Sequence, residues 1–136
     1  MQADEIRVKT QGGIVWMALV MMVRTRLWLA GEVSAHRGLT LSRRLMERVR
    51  KCALHRRALF CTDGLSAYIR AVRETFRHPV HPGKHGRPRL RSWRHLCIAQ
   101  VVKPYKKRRV VAVERRIIAG TPDVSRRCDA IRKATG

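Results

Sequence analysis

The amino-acid sequence predicts an α/β fold: a mixed five-stranded sheet, with an antiparallel meander of three strands, added parallel strands and flanking helices. Three observations predict it. Strand-length apolar runs separated by short turn signals fill the first quarter of the chain, and at Thr40 the hydrophobic period changes to that of an amphipathic helix. The short apolar run Leu59-Phe60-Cys61-Thr62 then ends on Asp63-Gly64 before a second helical pattern opens. A helix between two strands is the usual carrier of a parallel crossover.

The elements follow in order. Glu5 to Lys9 alternates, with Ile6 and Val8 expected inward and Arg7 and Lys9 outward, and Gln11-Gly12-Gly13 reads as a hairpin turn. Ile14 to Met22 is almost wholly apolar, as expected of a strand buried on both faces. Arg24-Thr25 turns the chain into a third strand, Arg26 to Ser34, with Leu27, Leu29 and Val33 expected inward. Thr40 to Ala53 carries Leu41, Leu45 and Val49 at helical spacing with Arg43, Arg44, Glu47, Arg48 and Arg50 opposite, and Thr40 is placed to cap it. Leu65 to Phe76 is a second helix with the stripe Leu65, Ile69, Val72 and Phe76. Leu96 to Val102 is a fifth strand, and Lys103 to Arg109 a basic connector. Val110 to Ile118 is ambiguous by period; Val110, Val113 and Ile117 at helical spacing put Glu114 on an adjoining face of a last helix.

Between the second helix and the fifth strand, residues 77–94 combine Pro79, Pro82, Pro88, Gly83 and Gly86 with repeated Arg and Lys, which predicts an unpacked basic loop. Residues 1–120 form one domain with 77–94 as a basic insertion, and 121–136 read as a basic tail with little order of its own. The chain has 136 residues and is 45% hydrophobic, enough for a single core. The 31 Lys+Arg against 9 Asp+Glu give a formal net charge of +22, which points to a polyanionic partner, nucleic acid before an anionic membrane. Cys52, Cys61, Cys97 and Cys128 lack ligand or disulfide spacing and read as core residues or free thiols. His78 and His81 are the one tight histidine pair and fall in the loop. The apolar run from Ile14 is about half the length of a spanning helix, so a cytoplasmic protein without membrane segments is expected.

Against such a charge every carboxylate is a minority residue, and three sit in or beside apolar runs: Asp4, Asp63 and Glu114. Asp63 at the end of a strand is where open α/β sheets gather ligands; its plainer reading is turn and cap chemistry before a helix. Three such acids brought together require a divalent cation.

The order of elements, with Ala-Asp-Glu-Ile at Asp4, Cys-Thr-Asp-Gly-Leu-Ser-Ala-Tyr at Asp63 and Val-Glu-Arg-Arg at Glu114, resembles the ribonuclease-H-like core of DDE-type transposases from bacterial insertion sequences. The resemblance covers about residues 2 to 120. It implies metal-dependent cleavage and transfer of DNA strands, with Asp4, Asp63 and Glu114 holding two Mg²⁺ or Mn²⁺ ions, DNA ends and target DNA as partners, and a homodimer as the assembly. Two departures stand against it. Ile117 occupies the place of an Asn that often completes the third motif, and Gly120-Thr121-Pro122 ends the last helix within two turns of Glu114. Related transposases also carry a DNA-binding region before the first catalytic strand. Together these features imply a shortened copy, in which catalytic competence is a separate matter from ancestry.

Candidate nucleic-acid contacts are Arg87, Arg89, Arg91 and Arg94 in the insertion, with Trp93 stacking on a base, and Lys103, Lys106, Lys107, Arg108 and Arg109 in the connector. The alternative is a non-catalytic basic protein of the ribosome or nucleoid, and a membrane-surface protein ranks third.

Overall fold

The computed structural model describes residues 1–53, 58–83 and 86–120. The tail 121–136, with Cys128, and His55 and His85 lie outside the described residues. The elements are β1 (Gln2–Thr10), β2 (Gly13–Met22), β3 (Leu27–Ser34), α1 (Leu39–Cys52), β4 (Ala58–Thr62), α2 (Ser66–Thr75), β5 (Arg77–Val80), β6 (Arg89–Ser92), β7 (Leu96–Val102), β8 (Tyr105–Lys106), β9 (Arg109–Val110) and β10 (Glu114–Ala119). The fold is α/β, with a mixed sheet in the order β10-β7-β4-β1-β2-β3. The meander β1-β2-β3 is antiparallel, β4 runs parallel to both β1 and β7, and β10 closes the far edge antiparallel to β7.

The main sheet has six strands rather than five because Val110 to Ile118 does not form a helix. Lys106 and Arg109 pair across a two-residue hairpin in which Lys107 and Arg108 both have positive φ, 47° and 64°. A turn of that hand matches the twist of the strands it joins. It returns the chain to the exposed edge of β7, where Glu114 to Ala119 pairs through Val102 to Ile98. The β-branched pair Ile117-Ile118 suits an edge strand better than a one-sided helix.

Both helices lie on one face of the sheet. Leu41, Leu45, Met46 and Val49 from α1 and Tyr68, Ala71 and Val72 from α2 form a single core with Ala3, Ala18, Val20, Phe60 and Ile98. Arg50 ties the helices together from the side, donating from both guanidinium branches to the carbonyls of Thr75 (2.7 Å) and Arg77 (2.8 Å). The cap of α1 is Gly38, not Thr40. The stripe of α2 is rotated from the expected one, so that Tyr68, rather than Ile69, is its largest fully buried side chain.

This one-sided arrangement corrects inward assignments in all three strands of the meander. Ala3 and Glu5 face the helices, since their partners Val20 and Ala18 are core residues, whereas Ile6, 48% exposed, and Val8 lie on the other face. Strand alternation states that two faces differ without stating which is inward. In β2 only Ala18 and Val20 are fully buried, and the alternate residues Met17, Leu19 and Met21 are half-buried. In β3, Val33 pairs with Met17 on the open face and Leu27 lies beyond a bulge at Leu29, both exposed, while Leu29 and Ala30 pack against the core.

The segment 77–94 is packed in part. Strands β5 and β6 form an antiparallel ribbon, and Trp93 behind it is 4% exposed. Its ring meets Phe76 edge-on at 4.9 Å, and Phe76 meets Phe60 at 4.7 Å. The Trp93 backbone N–H donates to the Phe76 carbonyl at 3.0 Å, so the insertion is sewn to the end of α2.

Candidate functional site at the ends of β1, β4 and β7

Asp63 follows the last residue of β4, and Gly64 turns the chain past the side chain of Val102 into α2. Two atoms of Asp63 organise this turn. Its Oδ1 accepts the N–H of Leu65 at 3.0 Å, and its carbonyl accepts Gln100 Nε2 at 2.9 Å. The plain reading of Asp63 as a turn residue is thus correct for one oxygen. The other oxygen, Oδ2, is left for a cation, and Arg37 Nη2 approaches it at 3.5 Å.

Parallel pairing of β1 with β4 at Gln2 and Cys61 brings Asp4, two residues on, level with Asp63. Both line a cleft of ≈ 900 Å³ whose walls include Gln100 and Val102 from β7, Tyr105 and Val110 from the β8-β9 ribbon, and Arg115 and Arg116 from β10. It combines two carboxylates with Lys103, Arg115 and Arg116, a suitable balance for holding a phosphodiester beside a cation. Asp4 is exposed and its Oδ1 accepts the N–H of Glu5 at 2.9 Å.

Glu114 does not line the cleft. It begins β10, opposite Val102, and its Oε2 pairs with Arg116 at 2.6 Å on an exposed surface. The sequence reading that set it on a helix facing Asp4 and Asp63 is corrected by the strand: Glu114 starts an edge strand opposite Val102 and turns to Arg116, and the cleft is lined by Arg115, Arg116 and Ile117 instead. Among the described residues no three His, Cys, Asp or Glu side chains are grouped as a ready metal centre.

One acid the sequence reading passed over is Glu5. Its side chain is 3% exposed, its Oε1 accepts Arg37 Nε at 2.6 Å, and its Oε2 is buried with no hydrogen-bond partner among the described residues. The Tyr68 hydroxyl beside it is pushed above its ordinary pKa, first by burial, then by the negative charge of Glu5, with Asp63 and Asp4 adding smaller effects. Three carboxylates thus act on one buried phenol.

Comparison with known proteins adds nothing. No family model, curated protein or solved structure matches the chain.

The expected nucleic-acid contacts divide. Arg87, Arg89, Arg91, Arg94, Lys103, Lys106, Lys107, Arg108 and Arg109 are all exposed. Trp93 is a core residue and cannot stack on a base, because its ring is already covered by Phe76. The aromatic side chain that is presented among these cations is Tyr105, 67% exposed on the β8-β9 ribbon at the mouth of the cleft. Its position beside Lys106 was the available signal. A second hollow of ≈ 490 Å³, between α1 and α2, carries no evident chemistry, since Arg43 is paired with Glu74 and Arg50 with two carbonyls. Cys61 is buried, Cys97 half-buried and Cys52 exposed. No described helix is long and apolar enough to cross a membrane.

Proposed function

We propose that the chain is the ribonuclease-H-like catalytic core of a DDE-type DNA transposase from an insertion sequence, performing metal-dependent cleavage and transfer of DNA strands. The observation that carries this reading is Asp63, held at the carboxyl end of a parallel strand with one oxygen free of the local turn, level with an acid-bearing strand β1. An antiparallel meander flanked by two parallel strands supports the same reading.

In-line attack at a phosphodiester needs an activated oxygen nucleophile and a cation at the leaving oxygen. Carboxylate oxygens suit Mg²⁺ or Mn²⁺ for both tasks. The donors on β1 and after β4 fit such an ion: among the described residues, a buried Glu5 Oε2 has no hydrogen-bond partner and Asp63 Oδ2 is met by a long guanidinium contact. Asp63, with the acids of β1, holds the ion in this scheme; Lys103, Arg115 and Arg116 orient the phosphate, and Tyr105 receives an unpaired base. When bound, the metal would supply charge stabilisation at the attacking and leaving oxygens, in addition to that of Lys103, Arg115 and Arg116 on the phosphate.

One observation favours a second reading, a basic DNA-binding protein without catalysis: Glu114, the third acid of the motif, does not line the cleft and is paired with Arg116, which does. Nicking of supercoiled plasmid separates the two. The transposase reading expects Mg²⁺-dependent nicking that Asp63→Asn abolishes while plasmid retention is kept. Retention without nicking by the wild type supports the binder.

A further inference from the structure

Asp4 and Glu5 are neighbours in sequence and lie on opposite faces of β1. Glu5 shares the helix face with Ala3, and its register partner Ala18 is 1% exposed. Asp4 shares the open face with the positions of Cys61 and Ala99, where the cleft lies. An ionised carboxylate buried as deeply as Glu5 must be neutralised.

That neutralisation comes from one side chain. Arg37, in the loop between β3 and α1, lays its guanidinium 5.1 Å from the ring centroid of Trp16. From there it donates to Glu5 Oε1 at 2.6 Å and reaches Asp63 Oδ2 at 3.5 Å. The second contact is long for a charge-assisted bond, which is normally about 2.7–2.9 Å. Arg37 itself is 40% exposed. A single cation, strongly held on one side and loosely on the other, therefore bridges carboxylates from β1 and the end of β4, with a further buried oxygen, Glu5 Oε2, unused beside it.

We propose that Glu5, rather than Asp4, joins Asp63 in binding the divalent cation, and that Arg37 occupies this site until the metal displaces it. The proposal rests on the reading of Asp63 as a metal ligand. A hard divalent ion gathers several carboxylate oxygens closely, including the unused Oε2, which a planar guanidinium approaching from one side does not satisfy. Once displaced, Arg37 has an open path to solvent and carries a fork suited to a DNA phosphate. Asp4 remains at the cleft, bonded to the Glu5 backbone.

The test is Mn²⁺ titration of the full chain by calorimetry, with thermal unfolding of each variant as a check on folding. Glu5→Gln and Asp63→Asn are expected to weaken binding more than tenfold, and Asp4→Asn to leave it within about twofold. Removing the competing cation in Arg37→Gln is expected to tighten binding about fivefold, the scale of one partly exposed ion pair. A second measurement leaves Arg37 intact: in a Trp28→Phe background, where Trp16 and the core residue Trp93 emit, saturating Mg²⁺ is expected to change the emission as the guanidinium leaves the Trp16 ring, and Glu5→Gln and a Trp16→Phe control each to abolish that change. If Asp4→Asn loses binding while Glu5→Gln keeps it, the inference falls and the metal reading of Asp63 stands. Weaker binding in Arg37→Gln, or Trp16 emission indifferent to Mg²⁺, overturns the displacement. If neither the wild type nor Arg37→Gln binds Mn²⁺, the proposed function and this inference fail together.

Discussion

Replacing Trp93 with Ala distinguishes a structural from a nucleic-acid-binding role for the one aromatic side chain in the basic insertion. The ring is 4% exposed and ends a stack in which Phe60, Phe76 and Trp93 follow at 4.7 and 4.9 Å. Truncating a buried Trp costs about 3–5 kcal/mol in transfer and cavity terms, of which an edge-to-face pair accounts for about 0.5–1.5 kcal/mol. For a domain of this size that is an expected fall in Tm of about 10–20 °C. The neighbouring Arg91→Ala, exposed on β6, is expected to shift stability by less than about 0.5 kcal/mol. Urea unfolding followed by circular dichroism measures both, and binding to single-stranded DNA is compared below the transition of each protein. Unchanged stability with weakened DNA binding in Trp93→Ala would refute the core assignment and restore the ring to the surface.

Further outcomes follow from other residues. Tyr105→Ala is expected to cost about 1–3 kcal/mol in affinity for single-stranded DNA without changing Tm, as measured by fluorescence anisotropy. DNA binding should weaken steeply with salt, the slope of log affinity against log salt falling by about 0.9 for each of Lys106 and Arg109 replaced by Ala, if each meets a phosphate. Arg108→Gly, at φ 64°, is expected to raise stability by about 1 kcal/mol, since glycine adopts that backbone without steric cost. Tyr68 has a raised pKa in the folded state, so its contribution is complete below pH 10.0 and is lost as pH rises beyond that value; an alkaline unfolding limb should therefore be present, and Tyr68→Phe should flatten it. Glu74 is depressed below 4.5, first by its hydrogen bond from Arg70 and then by that from Arg43, so its contribution is complete above that pH and is lost on acidification; Glu74→Gln should flatten the acid limb.

The central topology was legible because its signals are local. Gln11-Gly12-Gly13 marked the first hairpin, the change of period at Thr40 marked α1, and Asp63-Gly64 marked the end of β4, as the structure places them. What was not legible depends on partners distant in sequence. Whether Ile6 or Glu5 faces inward is decided by which face the helices cover, and β1 alternates equally well either way. The strand at Glu114 depends on the free edge of β7 and on a hairpin made by Lys107-Arg108, where neither Asn nor Gly announces positive φ. In residues 77–94 the density of charge concealed one tryptophan whose place in the core is defined by Phe76.

At the candidate site, Asp63 was found from its position after an apolar run, and Asp4 reached the same cleft through register. Glu5 was hidden by adjacency: next to Asp4 in a strand, one residue decides between opposite faces. Arg37 lies 32 residues from Glu5 and 26 from Asp63, in a loop with no motif of its own.

The most direct test of the metal-site account is the position of a bound ion. In crystals of the protein soaked in Mn²⁺, anomalous difference density is predicted at the Asp63 carboxylate, about 2.0–2.6 Å from Oδ2, with a β1 carboxylate as its second protein ligand. Crystals in which Arg37 still bridges Glu5 and Asp63 and no manganese lies near Asp63 at saturating concentration would contradict it.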